Sequence, residues 1–463
     1  KADLSTPPPA EKSISVKVDN PVPIAPDFHK QVRPILEASC IECHGVEKQK
    51  GDLRMDTLAN LLKGGDSGPA IVPGNIDESI LLERIFLPVD DDEIMPPENG
   101  PLSLNQQDIL KRWIITGANW PKGVQLFPVS KQELALRKKA ESKKLVSLQI
   151  HPKQISLSTK EDFNSFIVVA KYDDDVTRDV TKESTFSLSD EKIAQLENHT
   201  ISPVKDGKAT LKASFHNLNT ELLIEVKDAQ AERPVSFNLD VMPVFLKAGC
   251  NTGSCHGSAR GQDRFMLSLF GYDAKGDHYR ITREQGTRRI NLAIPEESML
   301  VEKAIAAVPH TGGKLFEKNS DHWHTLVNWL KRGAPEDPKD IAKPTDLELL
   351  PKSLLLEGKG AKQQMMVIAH YSDGTTRDVT SLSVFQSNND VSANVDKNGI
   401  VTAEKRGEAF ITARFDVFTK GTQAIVIPED LQYKKPSLST NNYIDDLVHD
   451  KLHKLRIYPS ELC

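Results

Sequence analysis

The chain has 463 residues, of which 38 % are hydrophobic and 27 % are charged, a composition typical of soluble globular proteins. This length suits three or more domains of about 100–150 residues. The net charge of −6 and the scattered basic residues give no indication of nucleic-acid binding, and no apolar run approaches the roughly 20 residues that span a bilayer.

The first recognisable elements are a tail and a helix. Residues 1–24 are rich in Pro, Lys and Ser, which predicts a flexible tail. The following segment places apolar side chains at helical spacing and leads directly into Cys40. These side chains are Phe28, Val32, Ile35 and Leu36.

The run from Cys40 to His44 is a C-x-x-C-H motif, the attachment signature of c-type haem. In such a motif Cys40 and Cys43 form thioethers to the porphyrin and His44 ligates the iron. Zinc is the alternative, but it prefers four ligands in two spaced pairs, and no second pair accompanies the motif. A disulfide between the two cysteines would leave His44 unexplained.

A haem that transfers electrons needs a second axial ligand, and Met95 and Met55 are the candidates. Met95 is followed by Pro96 and Pro97, which favour an extended loop able to present a thioether. Met55 is more easily explained by packing, and a methionine filling a gap in the core is also the alternative for Met95. We expect Met95 to be the distal ligand. The preceding acidic run, residues 90–93, lacks the ligand spacing of a calcium loop and predicts a solvated loop.

The first unit closes with a predicted helix over residues 104–116. Ser103 or Asn105 can cap its start, and Gly117 suits the position after its end. From residue 145 to 228 short alternating runs are bounded by turn residues, which predicts a β-sandwich. Helical signals return over residues 234–337, and strand signals return over residues 345–428.

Ordered matches relate the two helical units and the two β-units, and they predict an A-B-A-B repeat. The matched pairs are residues 172–181 with 371–380, 32–36 with 241–245, 77–81 with 296–300, and 113–118 with 329–334.

In the second helical unit, four residues separate Cys250 from Cys255, and His256 follows at once. The repeat makes this a second haem site, with Gly253 giving the extra residues room, although failure of one thioether stays open. Met95 lies 18 residues before Trp113, and His310 lies 19 residues before Trp329. We therefore expect His310 to be the distal ligand. The rivals are His322 and His324 at a solvated helix start, Met299 at a position aligned with the core residue Ile80, His278 and Met266.

Ligand identity predicts the order of the two potentials. Methionine–histidine ligation gives a higher potential than bis-histidine ligation, so the first haem should have the higher potential. Arg288 and Arg289 can pair with haem propionates, but surface arginines are common. The chain begins with Lys1, and because c-type haem is attached outside the bacterial cytoplasm, we expect that a signal peptide was removed.

A linker over residues 428–439 leads to a predicted helix over residues 443–455 that has no evident element to pack on. The chain therefore looks like the front part of a longer protein, with Cys463 unpaired at its last position.

Residues 28–120 resemble a planctomycete-type cytochrome c domain. The resemblance lies in the C-x-x-C-H-G motif, residues 64–70, Val72-Pro73-Gly74, Met95-Pro96-Pro97 and Trp113. Residues 234–336 resemble the second haem-like segment of the same large proteins, from which the four-residue cysteine spacing departs. The β-units resemble bacterial Ig-like group 2 domains, and residues 443–463 resemble the opening of a helical domain of unknown function. The resemblance implies a secreted planctomycete protein, often suspected of a role near polysaccharide breakdown.

Together these features predict a multidomain α and β protein in which two cytochrome c-like domains alternate with two Ig-like β-sandwiches. The expected segments are a tail over 1–24, cytochrome c-like domains over 25–122 and 234–337, sandwiches over 145–228 and 345–428, and the start of a helical domain over 439–463.

The expected function is electron transfer by a periplasmic, cell-surface or secreted cytochrome with two covalent haem c groups, iron being the metal. The sandwiches would act as spacers or partner-binding modules. The alternatives are a dihaem peroxidase or sugar oxidase with an open second haem, and an envelope adhesion or structural protein. Expected partners are redox proteins, then polysaccharide or envelope components and further copies of the chain, with no nucleic acid.

Overall fold

A computed structural model describes residues 24–98, 100–339, 341–429 and 431–460. Almost all of the expected tail, residues 1–23, lies outside the described residues, as does Cys463. The described chain divides into two compact units, one ending at Ser130 and the other beginning at Lys131. Within the described residues no helix combines the length and the apolar character needed to cross a membrane.

The first unit is helical. A π-helical turn over Phe28–Val32 continues into α1, and the helices are α1 (Arg33–Ser39), α2 (Leu58–Lys63), α3 (Ile80–Ile85) and α4 (Leu104–Ile115). The four apolar side chains expected on one face before Cys40 are buried in a core with Trp113. Ser103 caps α4 in a reciprocal capping box with Gln106, and Gly117 has a φ of 101° just after the helix. Ser103, rather than Asn105, is therefore the cap.

The second unit begins with a helix, α5 (Lys131–Ala140), followed by ten strands. They are β1 (Leu145–His151), β2 (Gln154–Leu157), β3 (Asn164–Ser165), β4 (Ile167–Tyr172), β5 (Thr177–Asp179), β6 (Thr185–Leu188), β7 (Ala194–Glu197), β8 (Thr200–Pro203), β9 (Gly207–Phe215) and β10 (Leu218–Val226). They form the sheets β1-β4-β5, β2-β10-β9-β6 and β3-β8-β7. Alternate side chains of these sheets bury one core, as in a β-sandwich.

A second set of helices follows the first sandwich. A π-helical turn over Phe237–Val241 continues into the first of them, which are α6 (Met242–Lys247), α7 (Ala274–Tyr279), α8 (Gly286–Arg289), α9 (Met299–Ala304) and α10 (Asp321–Lys331). Their core contains Phe237, Val244 and Trp329. The turn into α6 therefore repeats the turn into α1.

The second sandwich repeats the first strand by strand. Its strands are β11 (Pro344–Leu350), β12 (Ser353–Glu357), β13 (Lys362–Gln364), β14 (Met366–Tyr371), β15 (Thr376–Asp378), β16 (Val384–Ser387), β17 (Ala393–Val395), β18 (Ile400–Ala403), β19 (Gly407–Phe415) and β20 (Phe418–Ile427). They form the sheets β11-β14-β15, β12-β20-β19-β16 and β13-β18-β17. In both sandwiches the last strand pairs in parallel with the second, β10 with β2 and β20 with β12.

The second helical segment is fixed to the second sandwich. Leu239 is buried in the core of that sandwich, and Asp240 pairs with Arg377 of β15 at 2.8 Å. The ammonium group of Lys247, on α6, donates to the carbonyl oxygens of Ser383 and Lys397. Because α6 leads directly to Cys250, these contacts hold the start of the second cysteine motif.

The last helix is α11 (Tyr443–Lys454). The expectation that it has nothing to pack on is wrong for its C-terminal end. Leu455 packs against Val176, Leu355 and two isoleucines of β20, and Lys451 pairs with Glu408 at 2.5 Å. The chain contains both helices and several β-sheets, as the sequence predicts, and the boundaries of the alternating domains stay a prediction.

Candidate cofactor sites

The first unit contains a cavity of about 440 Å³ that brings together Cys40, Cys43, His44 and Met95. Met55 also lines it, although Met55 is 2 % exposed and belongs to the core, whereas Met95 is half-buried. The apolar part of the wall includes Leu53, Ala70, Leu81, Ile85 and Leu102. The residues expected from sequence to form the first site therefore face one apolar space.

The end of α1 places the first motif. The N–H of Cys40 donates to Leu36 O at 2.9 Å, and the N–H of His44 donates to Cys40 O at 3.0 Å. A Cβ on Gly45 would lie 2.5 Å from Ile41 O, so only glycine fits after the histidine. This tight turn fixes His44 beside the two cysteines.

The surroundings of the His44 ring favour its neutral form. Burial lowers its pKa, and the backbone carbonyls of Leu53 and Lys50 only partly oppose that shift. Its Nδ1 is buried and makes no hydrogen bond within the described chain. A neutral imidazole is the form that binds a metal ion, so the ring suits the role of an axial ligand.

Met95 is held at the cavity by its own backbone. Its N–H donates to the carbonyl oxygen of Arg84, at the end of α3, at 3.2 Å. The loop before it is tied to the same helix because the Arg84 guanidinium pairs with Glu93. These contacts orient the loop so that the thioether lies on the cavity wall.

The second helical segment contains a smaller cavity of about 200 Å³. It brings together Cys250, Cys255, His256 and His310, the four residues expected for the second site. Met299 lines it as well and is 39 % exposed, so the expectation that Met299 is a core residue is wrong.

The wider cysteine spacing does not change the position of the histidine. The N–H of His256 donates to Cys250 O at 3.0 Å, the same bond and distance as between His44 and Cys40. A Cβ on Gly257 would lie 2.2 Å from Asn251 O, matching the close approach at Gly45. A turn, in which the N–H of Cys255 donates to Thr252 O at 3.0 Å, absorbs the two extra residues.

The sequence predicts that Gly253 gives the longer loop its room, and the structure assigns it no such role. It does not adopt positive φ, and an added Cβ would meet only Leu269 Cδ1 at 3.9 Å. The two positions that need glycine are Gly249 and Gly257. Gly249 has a positive φ of 77°, and Gly257 has no room for a Cβ.

The His256 ring has a defined orientation. Its Nδ1 donates to Phe265 O at 2.8 Å, which leaves Nε2 as the free nitrogen. Burial lowers the pKa of His256, and the nearby His310 and Lys303 lower it further. The N–H of Leu267 donates to His256 O at 2.8 Å, as the N–H of Met55 does to His44 O.

The His310 ring is oriented by a backbone carbonyl, as the His256 ring is. Its Nδ1 contacts Gly313 O at 3.1 Å, which again leaves Nε2 free. The other histidines considered for the distal position, His278, His322 and His324, do not line this cavity. His278 Nε2 instead donates to Ala334 O at 3.0 Å. His322 and His324 line a different cavity, between α10 and the sandwiches, and Met266 does not line the second site.

A common frame supports both cavities. The hydroxyl of Ser79 accepts from Val72 N at 2.9 Å, and that of Ser298 accepts from Asn291 N at 2.9 Å. The indole of Trp113 donates to Asn119 O, and that of Trp329 donates to Pro335 O. The matched segments of the sequence are therefore equivalent in their hydrogen bonds.

The donor set at each cavity suits an iron already held by a porphyrin. Burial raises the pKa of Cys40 and of Cys250 to about 12, so both are neutral thiols. In the part of the chain that the structure describes, no three His, Cys, Asp or Glu side chains converge to hold a metal ion. Each site instead offers two thiols, one oriented imidazole and one further axial candidate.

Comparison with known proteins adds a family match for the first site. Residues 40–99 match the family model of planctomycete cytochrome C, and no curated protein matches the sequence. Domains 5–6 of the S-layer protein SbsC are 10 % identical over 62 % of this chain and 100 % of that chain, with a TM-score of 0.25. Domains 4–9 are 10 % identical over 70 % of this chain and 36 % of that chain, with a TM-score of 0.24.

Both TM-scores are too low for a shared fold to be inferred, so the family match alone bears on function. The matched residues contain the C-x-x-C-H motif and Met95. This region of the chain is similar to planctomycete cytochrome C, and the similarity suggests a c-type cytochrome with covalently bound haem c.

Proposed function

We propose that the protein is a secreted dihaem c-type cytochrome that transfers electrons. The first haem is attached to Cys40 and Cys43 and ligated by His44 and Met95. The second is attached to Cys250 and Cys255 and ligated by His256 and His310. One observation carries the proposal of two sites: each motif histidine donates its N–H to the first cysteine of its motif at 3.0 Å and lines a cavity that also holds a distal candidate.

The residues of each site have separable roles. The cysteine thiols attach the porphyrin, and the apolar walls exclude water from it. The contact of His256 Nδ1 with Phe265 O orients the ring and leaves Nε2 as the nitrogen that would bind the iron. Each haem, when bound, supplies an iron that alternates between ferric and ferrous states by gain and loss of one electron.

A second ligand candidate at each site favours electron transfer over catalysis. A peroxidase or oxidase needs an open position on one iron, and both cavities present a second ligand candidate. Met95 would give the first haem the higher potential, since a thioether stabilises ferric iron less than imidazole does.

The remaining parts of the chain fit this role. We propose that the two sandwiches are Ig-like and act as spacers that position the second haem segment, or as partner-binding modules. The burial of Leu239 in the second sandwich and the pairing of Asp240 with Arg377 support the positioning role. Redox proteins are the proposed partners, with polysaccharide or envelope components and further copies of the chain as additional ones. The proposed location is the periplasm or the cell surface.

The test is a haem count per chain under denaturing conditions, followed by a spectroelectrochemical titration. The full chain is produced in a bacterium that attaches c-type haem, together with C40A/C43A, C250A/C255A and the loop control S254A. We expect two haems in the wild type and in S254A, one in each double variant, and two low-spin reduction steps.

Other results would overturn the proposal in defined ways. An unchanged haem count in C250A/C255A would show that the second site is not a haem site. A high-spin second haem that binds cyanide would favour a redox enzyme. A chain that carries haem but exchanges no electrons, with sandwiches that bind glycans, would favour an adhesion protein.

A further inference from the structure

The two cavities carry a cation at the same place in their frames. Arg84, on α3, follows Ser79 by five residues, and Lys303, on α9, follows Ser298 by five. The two serines make the same hydrogen bond, to Val72 N and Asn291 N. Arg84 lines the first cavity and Lys303 lines the second, so the two cations occupy equivalent positions on the two walls.

In the first cavity this cation is neutralised. The Arg84 guanidinium pairs with Glu93, in the acidic run 90–93 that precedes Met95. Over the whole wall, carboxylates outnumber cations by five to three. The carboxylates are Glu42, Asp66, Asp92, Glu93 and Glu98, and the cations are Lys48, Lys50 and Arg84.

In the second cavity the neutralising loop is missing. Met95 follows Arg84 by 11 residues, whereas His310 follows Lys303 by only 7, and the difference equals the length of the acidic run. The shorter connection, residues 304–309, has no acidic residue. The first distal candidate is thus reached by an acidic loop and the second by an uncharged one.

The second wall is consequently positive. Its charged residues are one carboxylate, Asp263, and three cations, Arg288, Arg289 and Lys303. The charge of Arg289 is balanced by Glu284, with which it pairs at 3.2 Å. Its guanidinium also lies 4.3 Å over the Phe265 ring. Arg288 and Lys303 have no ion-pair partner among the described residues, so their charges act on the cavity itself.

These charges oppose the effect of the axial ligands. A positive wall disfavours the ferric state relative to the ferrous state and raises the reduction potential, and a negative wall lowers it. The ligands act in the opposite sense, because methionine raises the first potential and a second histidine lowers the second.

We propose that the charges lining the two cavities bring the two haem potentials closer together, with Lys303 and Arg288 raising the second and the acidic wall lowering the first. This inference rests on the proposed dihaem function. Its consequence is that the two haems are reduced over a narrower range of potential than the axial ligands alone would give. Because salt screens partly exposed charges, the gap between the potentials widens as ionic strength rises.

The experiment measures both reduction steps of the full chain in R288Q/K303Q, in D92N/E98Q and in the control K318Q. Lys318 is exposed in the same helical segment and does not line the cavity. In R288Q/K303Q the lower step moves down and the upper step stays. In D92N/E98Q the upper step moves up and the lower step stays. K318Q moves neither step, and added salt widens the gap in the wild type.

The haem count separates the two ways of failing. Two haems per chain, with R288Q/K303Q shifting the lower step no more than K318Q does, would overturn this inference and leave the dihaem function intact. A gap that stays constant or narrows with salt would overturn it too. One haem per chain and a single reduction step in the wild type would overturn the proposed function itself.

Discussion

The carboxylate of Asp378 accepts a hydrogen bond from the backbone N–H of Ser165 at 2.9 Å, and this bond joins the second sandwich to the first. The reciprocal bond is also present, because Asp179 accepts from the backbone N–H of Gln364 at 3.1 Å. Asp179 and Asp378 are 199 residues apart in the sequence, and Ser165 and Gln364 are the same distance apart. The two bonds therefore join equivalent positions of the two sandwiches. The two sandwiches therefore meet through the same face, in the manner of an isologous interface.

Asp179 provides a stability test of this interface. Asp179→Ala removes the acceptor of Gln364 N–H and of Thr181, so we expect the second unit to lose about 1–3 kcal/mol of unfolding free energy. Asp179→Asn keeps an acceptor oxygen and should cost less. Urea unfolding measures both, with the exposed Asp173→Ala as control; equal losses in Asp173→Ala and Asp179→Ala would contradict the assignment.

The same carboxyl should leave a signature in the pH dependence. Burial raises the pKa of Asp179 despite its hydrogen bonds to Thr181 and Gln364. The folded chain thus holds this proton to higher pH than the unfolded chain, and the contribution of Asp179 to stability falls as pH rises through the folded pKa. Asp179→Asn should remove that fall in urea unfolding series across the weakly acidic range.

For Lys247 we expect the opposite dependence of the unfolding free energy on pH, at alkaline pH. Burial lowers its pKa to about 8, with Lys397 reinforcing and Asp396 opposing the shift, whereas the pKa of an unfolded lysine is about 10.4. Between these values the unfolded chain binds the extra proton, so the unfolding free energy rises with pH through this group. Lys247→Met should abolish that rise between pH 8 and 10 in urea unfolding series, and the exposed Lys318→Met should keep it.

The glycines after the motif histidines should be intolerant of alanine. Gly45→Ala and Gly257→Ala place a Cβ 2.5 and 2.2 Å from backbone carbonyl oxygens, so we expect each to cost about 1–3 kcal/mol and to reduce haem attachment at its own site. Gly253→Ala lies in the same loop as Gly257 and should be silent. Each glycine change is introduced into C40A/C43A and into C250A/C255A, so that haem staining reports on one site at a time. Loss of haem in Gly253→Ala would contradict the open space around the Cβ position of Gly253.

Exchange of the distal candidates should change the order of the potentials. Met95→His should lower the upper step, and His310→Met should raise the lower step, because thioether ligation favours the ferrous state. Met55→Leu conserves volume in the core and should leave both steps in place at a cost below about 1.5 kcal/mol. Spectroelectrochemistry measures the steps; an upper step lowered by Met55→Leu but not by Met95→His would identify Met55 as the ligand.

Local pattern predicted much of this chain. Three features depend on residues near one another in sequence. They are the cysteine–histidine motifs, the strand-like segments, and the helix that Ser103 caps and Gly117 follows. The repeat extends the prediction beyond neighbouring residues. Trp113 and Trp329 mark equivalent positions in the two helical units, and their spacing predicts His310 as the counterpart of Met95, which stays a prediction.

Contacts between distant segments were not predictable in the same way. Nothing near Leu239 indicates that it is buried in the second sandwich, and the packing of Leu455 depends on strands far from it in sequence. Helix α5, rich in good helix formers, could have been found from propensity alone. Alignment with the apolar Ile80 predicts a core position for Met299, yet both residues line cavities.

The reciprocal bonds of Ser165 with Asp378 and of Gln364 with Asp179 also bear on how this contact tolerates changes of sequence. Each donor is a backbone N–H group, so the bond does not depend on which side chain stands at position 165 or 364. Serine and glutamine therefore serve equally at these two equivalent positions, whereas each aspartate must supply a side-chain acceptor oxygen.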